Sequence, residues 1–158
     1  MSDPRIGLGF DVHRFDESRP LRLGGVLFGG EPGLSGHSDG DVICHATADG
    51  LLGAAGLGDV GEHFPDTDPA LAGIAGPDLL ARALDAVRRA GYRADSVDLT
   101  VIAERPSIAP SRDAIRARLA DVLDVASDRV SIKATRPEGL GLSGDGIGCI
   151  ALVVVSKP

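Results

Sequence analysis

The sequence has no tryptophan, one tyrosine and one methionine, and aromatics make up only 3% of its 158 residues. It has two cysteines, Cys44 and Cys149, set in apolar segments without a Cys-x-x-Cys spacing. That excludes a disulfide framework and a thiolate zinc finger, and marks both thiols as small buried hydrophobes of a reducing compartment. No N-terminal stretch has the charged start and apolar run of a signal peptide. No segment approaches the ~20 apolar residues of a membrane span. The expected location is therefore cytoplasmic, with no membrane partner. An excess of basic residues is missing as well: the net charge is −7 and the pI about 4.9. Nucleic-acid duplexes and anionic membranes need a basic face, so neither is expected as a partner. An anionic small molecule stays open if metal ions supply local positive charge.

What is present is more pointed. Glycine accounts for 22 residues, about twice the average usage of ~7%, with no repeat period. That excludes a fibrous or low-complexity chain and assigns the glycines to turns and close backbone approaches. All four histidines, His13, His37, His45 and His63, fall in the first 63 residues. The first third is where chemistry is expected.

The chain suits one compact domain, residues 1–158, which at this size buries roughly 70% of the surface its unfolded form exposes. Strands are predicted at Arg5–Phe10 and at Leu21–Leu23 with Val26–Phe28, the last two joined as a hairpin at Gly24-Gly25. A Gly-rich loop from Gly29 to Gly36 follows. Ser38 and Asp41 then have the form of a capping box opening a buried helix that runs to about Leu57. Gly58 to Asp68 reads as a loop. Pro77 to Ala90 reads as an amphipathic helix stopped by Gly91, and Ser111–Val122 as another. Ser96–Ala103, Val130–Thr135 and Cys149–Ser156 complete the strands. This order predicts an α+β fold: a single domain with a mixed four-stranded sheet covered by helices, plus an N-terminal hairpin.

In FDVHRF, residues 10–15, an extended backbone puts Asp11 and His13 on one face and Val12 on the other, where it would anchor the strand to the core. The pair can share a metal ion or simply face water. His45 lies one turn after Asp41 on the buried helix, where a lone histidine is more often a satisfied core residue than a ligand. Asp11, His13 and His45 together would offer one oxygen and two imidazoles, a set that suits zinc with an open fourth position. In GHSDGD, helix capping and phosphate reception by His37, Ser38 and free N–H groups are compatible readings. KATRPEGLG gathers Lys133, Thr135, Arg136 and Glu138 at the end of a strand. The glycine-rich stretch after it matches neither a P-loop nor a placed dinucleotide fingerprint.

With FDVHRF, GHSDGDVICHA, GDVGEHFPDTDP, VIAERPSIAP and KATRPEGLG in this order, the chain closely resembles the 2-C-methyl-D-erythritol 2,4-cyclodiphosphate synthase family of the non-mevalonate isoprenoid pathway, over essentially its whole length. The resemblance implies a homotrimer with active sites between subunits. It also implies conversion of 4-diphosphocytidyl-2-C-methyl-D-erythritol 2-phosphate to the cyclic diphosphate with release of CMP. By matching position, Asp11, His13 and His45 look like zinc ligands, with Asp11 and His13 also near substrate. His37 and Ser38 match phosphate contacts, with His37 a candidate transition-state stabiliser. Asp59, Val60 and Gly61, and Phe64, Pro65, Asp66, Thr67 and Asp68, match loops holding the methylerythritol part. Ala103 with Pro106, Ser107, Ile108 and Ala109 matches the cytidine segment. Glu138 matches the ligand of a second divalent ion, Mg²⁺ or Mn²⁺, and Lys133 falls in the same substrate-binding run.

Departures from the family pattern are also legible. Thr135 is kept, but Arg136-Pro137 stands where two threonines are usual, one of them a transition-state contact. Arg136 can still donate to phosphate, while Pro137 removes a backbone donor. Ser107 replaces a usual lysine. Leu142 and Asp145 replace a phenylalanine and an arginine near the trimer axis, where an acid would repel an isoprenoid diphosphate. Two other readings therefore stand beside the synthase: a divergent homologue acting on a related diphosphate, and a zinc- and nucleotide-binding regulatory module without turnover.

Overall fold

The computed structural model describes residues 3–141 and 144–158. Five strands form one mixed sheet: β1 (Arg5–Leu23), β2 (Val26–Leu34), β3 (Arg93–Ile102), β4 (Val130–Thr135) and β5 (Gly146–Ser156), in the order β2-β1-β5-β3-β4. Only β3 and β4 run parallel. Four helices accompany them: α1 (Val42–Ala55), the single turn α2 (Val60–His63), α3 (Gly76–Arg89) and α4 (Arg112–Leu123).

The sheet has five strands where four and a separate hairpin were expected. The physical reason is the length of β1. Its first half, Arg5–Arg14, pairs with β5, and its second half, from Phe15 to Leu23, pairs with β2. One strand thus joins the hairpin to the main sheet. The predicted turn at Gly24-Gly25 is there, with both residues at positive φ, 59° and 77°, as a two-residue hairpin connection demands. The segment from Gly29, expected as loop, continues in β2 to Leu34 because the β1 partner extends that far. Within the expected loop from Gly58 to Asp68, Asp59 caps the short α2 by accepting from the Glu62 N–H at 2.9 Å.

Face alternation sorts β1 cleanly. Gly7, Gly9, Asp11 and His13 share the face that carries the core, opposite Val153, Ala151, Cys149 and Ile147 of β5. Val12 lies on the other face and is 42% exposed, so it does not anchor the strand to the core. Ile6, Leu8, Phe10, Ile150 and Leu152 are exposed on that face too. Phe10 pairs with Ile150 and Leu8 with Leu152, giving an uncovered apolar stripe two strands wide.

On the core face α1 lies directly on β1. A Cβ added at Gly7 would come within 1.9 Å of the Gly50 carbonyl oxygen, and one at Gly9 within 1.8 Å of the Ala46 carbonyl oxygen. Only glycine at both β1 positions lets the helix backbone settle at this depth. Beyond α1, Leu79, Leu80, Ala83, Leu84 and Val87 of α3 close the core, the apolar face read from the sequence. Cys44 and Cys149 are fully buried, and burial pushes both thiols up, so they pack as inert hydrophobes.

The residue capping α1 is Asp41, not Ser38. Its carboxylate accepts from the N–H groups of Cys44 at 3.1 Å, Gly24 at 2.8 Å and Gly25 at 2.7 Å. One buried side chain therefore caps a helix and pins the β-hairpin turn. Burial pushes its carboxyl up while the three donors pull the other way. Asp41→Ala removes three acceptor contacts and leaves backbone donors unpaired, and is expected to lower stability by about 2–4 kcal/mol. Urea midpoints compared with those of Asp41→Asn, which keeps one acceptor oxygen, check this.

Candidate metal and nucleotide sites

The depth of α1 on β1 decides what meets beyond Gly9. Two residues on, Asp11 projects from the same face, and His45, next to Ala46, reaches it from the helix. Asp11 Oδ2 lies 2.7 Å from His13 Nε2 and 3.1 Å from His45 Nδ1. The three ligand atoms lie within 4.8 Å of one another, the one group of three metal-ligating side chains among the described residues. In a tetrahedral zinc site with ~2.0–2.2 Å bonds, ligand atoms stand roughly 3.3 Å apart. The three residues therefore need only small rotations to fit a divalent ion.

Both imidazoles are held from behind. Ser38 Oγ is 2.8 Å from His45 Nε2, which turns the Nδ1 edge of the ring toward Asp11. The Ser35 backbone hydrogen-bonds His13, and Gly36 lies against the Nδ1 edge of the same ring, where a Cβ would stand 3.4 Å from Nδ1. Such outer contacts orient each ring, so that a divalent ion entering the site displaces only the proton that each histidine shares with Asp11. Burial works to raise the Asp11 carboxyl, but hydrogen bonds to His13 and His45 and their charge outweigh it and hold the group near 2. Asp11 is thus an anion throughout the neutral range, as a metal ligand must be.

The other expected residues fall into separate places. Asp59, Val60 and Gly61 line a cavity of about 230 Å³ with Phe10, Asp11, His45 and Asp49. His37 is exposed, and its Nε2 donates to the Asp68 carbonyl at 2.9 Å, which ties the GHSDGD segment to the loop of Phe64, Pro65, Asp66, Thr67 and Asp68. Ser38 is buried beside His45. Ala103, Pro106, Ser107, Ile108 and Ala109 line a second cavity of about 150 Å³ with Thr135 and Arg136. Lys133 pairs with Asp98 at 2.5 Å, and Glu138 is an exposed carboxylate at φ 54°. Asp145 lines a third cavity, of about 320 Å³, with Val12, His13 and Arg14. Leu142 lies outside the described residues.

Three contributors were not read from the sequence. Asp49 continues the four-residue spacing of Asp41 and His45 on α1, so helical periodicity contained that signal. It lines the metal-side cavity and accepts from the Val60 N–H at 3.2 Å, which positions the Asp59 segment. Arg112 lines the second cavity from the start of α4, and no local pattern distinguishes it from a solvated arginine. Arg19, on β1, reaches the carbonyls of Leu34, Gly36 and Ser38, contacts that only the fold creates.

The metal-ligating trio thus sits on a mixed sheet in a chain that also carries one cavity lined by acids and another lined by hydroxyls and arginines, and a family comparison identifies the chain as an enzyme of the YgbB family. That family's model matches residues 4–156, and the chain belongs to it. Its curated relatives include the 2-C-methyl-D-erythritol 2,4-cyclodiphosphate synthase of Symbiobacterium thermophilum, 52% identical over 153 residues that cover 96% of this chain and 98% of that protein. Among solved structures, a CDP-bound form of such a synthase superposes with a TM-score of 0.88 at 37% identity, covering 96% of this chain and 99% of the other. The bifunctional IspDF of Campylobacter jejuni superposes with a TM-score of 0.94 at 39% identity, and there the match spans all of this chain but 43% of that longer protein. The chain is thus an enzyme of the 2-C-methyl-D-erythritol 2,4-cyclodiphosphate synthase group within the YgbB family.

Because the ligands meet only where α1 touches β1, Gly9→Ala is expected to weaken divalent-ion binding although it changes no ligand, and His45→Ala to abolish stoichiometric binding. Equilibrium dialysis of both variants against wild type, with metal analysis, checks this. Wild-type affinity in Gly9→Ala would contradict the coupling.

Proposed function

We propose that the protein is a single catalytic domain, residues 1–158, that converts 4-diphosphocytidyl-2-C-methyl-D-erythritol 2-phosphate to 2-C-methyl-D-erythritol 2,4-cyclodiphosphate and CMP in isoprenoid precursor biosynthesis in the cytoplasm. The observation that carries this reading is the convergence of Asp11 Oδ2, His13 Nε2 and His45 Nδ1 in a chain half identical to proteins bearing that synthase name.

In the reaction, a 2-phosphate oxygen attacks the β-phosphorus, the bond from that phosphorus to the oxygen bridging to the α-phosphate breaks, and CMP leaves with the electron pair. No protein nucleophile is required, so the residues serve to orient and to stabilise charge. Asp11, His13 and His45 would hold Zn²⁺, as one carboxylate and two neutral imidazoles suit it. Glu138, a single carboxylate, would hold Mg²⁺ or Mn²⁺, which take most of their ligands from phosphates and water. When bound, these ions supply the positive charge that lets an acidic protein accept a polyanion. His37 and Ser38 donate to phosphate oxygens, and Thr135 and Arg136 donate to the diphosphate from the far side of the leaving group. Asp59 and the Phe64–Asp68 loop receive the methylerythritol hydroxyls, and backbone groups of Ala103 to Ala109 read the base, a role supported by the CDP-bound form of the related synthase.

The assembly is a homotrimer with active sites between subunits. The uncovered stripe of Ile6, Leu8, Phe10, Ile150 and Leu152 supports it, since a stable monomer rarely leaves so large an apolar strand face in water. Asp145 would then lie toward the axis, where it disfavours a bound diphosphate.

Incubation with the cytidyl substrate, Zn²⁺ and Mg²⁺ is expected to release CMP and the cyclic product in equal amounts, read by phosphorus NMR. Binding without CMP release would leave the regulatory reading, and CMP release only from another cytidyl diphosphate the divergent one. Light scattering is expected to give three times the 16.2 kDa chain mass, and Leu8→Asp with Leu152→Asp to give a smaller species.

A further inference from the structure

Arg19 makes a set of contacts that no part of the proposed chemistry uses directly. Its guanidinium donates from Nη1 to the Leu34 carbonyl at 3.0 Å and the Gly36 carbonyl at 2.8 Å, and from Nη2 to the Ser38 carbonyl. Among the described residues no carboxylate lies within ion-pair distance of it. A partly buried cation is thus neutralised by three main-chain dipoles of one five-residue segment. That arrangement sets the segment's path more than it adds stability.

The segment is the one that stands behind both histidines. Ser35 hydrogen-bonds His13 through its backbone, and Ser38 meets His45 Nε2 through its hydroxyl. Leu34 ends β2, and from there to the cap of α1 the backbone is tied by only a few contacts, among them Ser35 N–H to the Arg14 carbonyl at 2.9 Å and Gly73 N–H to the His37 carbonyl at 2.8 Å. Arg19 gathers three alternate carbonyls of this stretch onto one planar fork, a geometry that a lysine ammonium cannot reproduce.

We propose that Arg19 is a positioning residue for the metal centre: by fixing residues 34–38 it places Ser35 and Ser38 so that His13 Nε2 and His45 Nδ1 are aimed at a common point. The proposal rests on the reading of Asp11, His13 and His45 as a divalent-ion site. Residues that orient metal-bound histidines from the outer shell are worth about 10–100-fold in metal affinity.

The test is Zn²⁺ affinity by chelator competition on metal-free wild type, Arg19→Met, Arg19→Lys, Ser38→Ala and the double variant Arg19→Met with Ser38→Ala, with circular dichroism as a check on folding. Arg19→Met is expected to bind about 10–100-fold more weakly, to recover part of that loss in millimolar guanidinium chloride, and to show less than additive loss when combined with Ser38→Ala. Unchanged affinity in Arg19→Met, or fully additive losses, would overturn the proposal. If Arg19→Met does not fold, Arg19→Lys decides: it keeps the stem and charge without the fork and is expected to bind several-fold more weakly, whereas wild-type affinity overturns the idea. Failure of wild type itself to bind Zn²⁺ would instead remove the metal reading on which the proposal stands.

Discussion

The site depends on one steric constraint, the depth at which α1 lies on β1. Gly7 and Gly9 have no Cβ to hold off the helix, so the carbonyls of Gly50 and Ala46 occupy the space that side chains would fill. The helix then sits close enough for His45 to reach the carboxylate of Asp11, two residues beyond Gly9. A sheet with ordinary side chains at those positions would hold a helix about 10 Å from the strand axes, and a histidine on its lower face would pack as a core residue. The same packing fixes the direction of α1, because its N-terminus is capped by the carboxylate that pins the Gly24-Gly25 turn. Helix, hairpin and metal-ligating face are thus one mechanical unit.

Around this unit the charges are arranged against the grain of the composition. A protein of net charge −7 concentrates carboxylates beside its metal-ligating trio: Asp49 and Asp59 line the same cavity as Asp11. Burial and the neighbouring acids raise Asp49, the expected response of clustered carboxylates. A cation placed among them relieves that repulsion and reverses the local field. The second cavity, by contrast, is lined by the arginines 112 and 136 with Thr135, Ser107 and a single acid, Glu104, so its lining carries net positive charge and can receive an anion without a metal. At positions 107 and 136 this chain carries serine and arginine, so the guanidinium charge of the cavity comes from Arg136 at the end of β4 and from Arg112 at the start of α4.

How much of this was legible depended on whether the signal was local. The alternation in FDVHRF correctly put Asp11 and His13 on one face and Val12 on the other. Only the second half of the inference failed, because an apolar residue opposite a polar pair was assumed to face the core. This sheet buries its polar pair near the helix and exposes the apolar stripe. The three long helices, the hairpin turn and the three later strands were found because periodicity and turn chemistry are written in adjacent residues. The continuation of β2 past Phe28 was missed because Gly29–Leu34 has three glycines and a proline and is held by its partner, not by its own propensity. The cap was given to Ser38 because a capping box is a pattern of spacing; Asp41 caps α1 by accepting from Cys44 three residues on, and its hold on the hairpin turn depends on donors 17 and 16 residues away.

Residue type and spacing alone set the chemistry available: an aliphatic, glycine-rich α+β chain, acidic overall, with histidines confined to its first 63 residues and motifs in the order of a cyclodiphosphate synthase. Those features depend on residue type and near-neighbour spacing, which a linear text carries in full. Tertiary structure decided which of these residues meet. It brought a strand and a helix 34 residues apart to a common point, left Glu138 outside that group, and recruited Arg19, Asp49 and Arg112, whose partners lie outside any local window. The physical reason is that metal ligation and anion binding need donor atoms within a few ångströms of one point, a condition set by packing and backbone close approach.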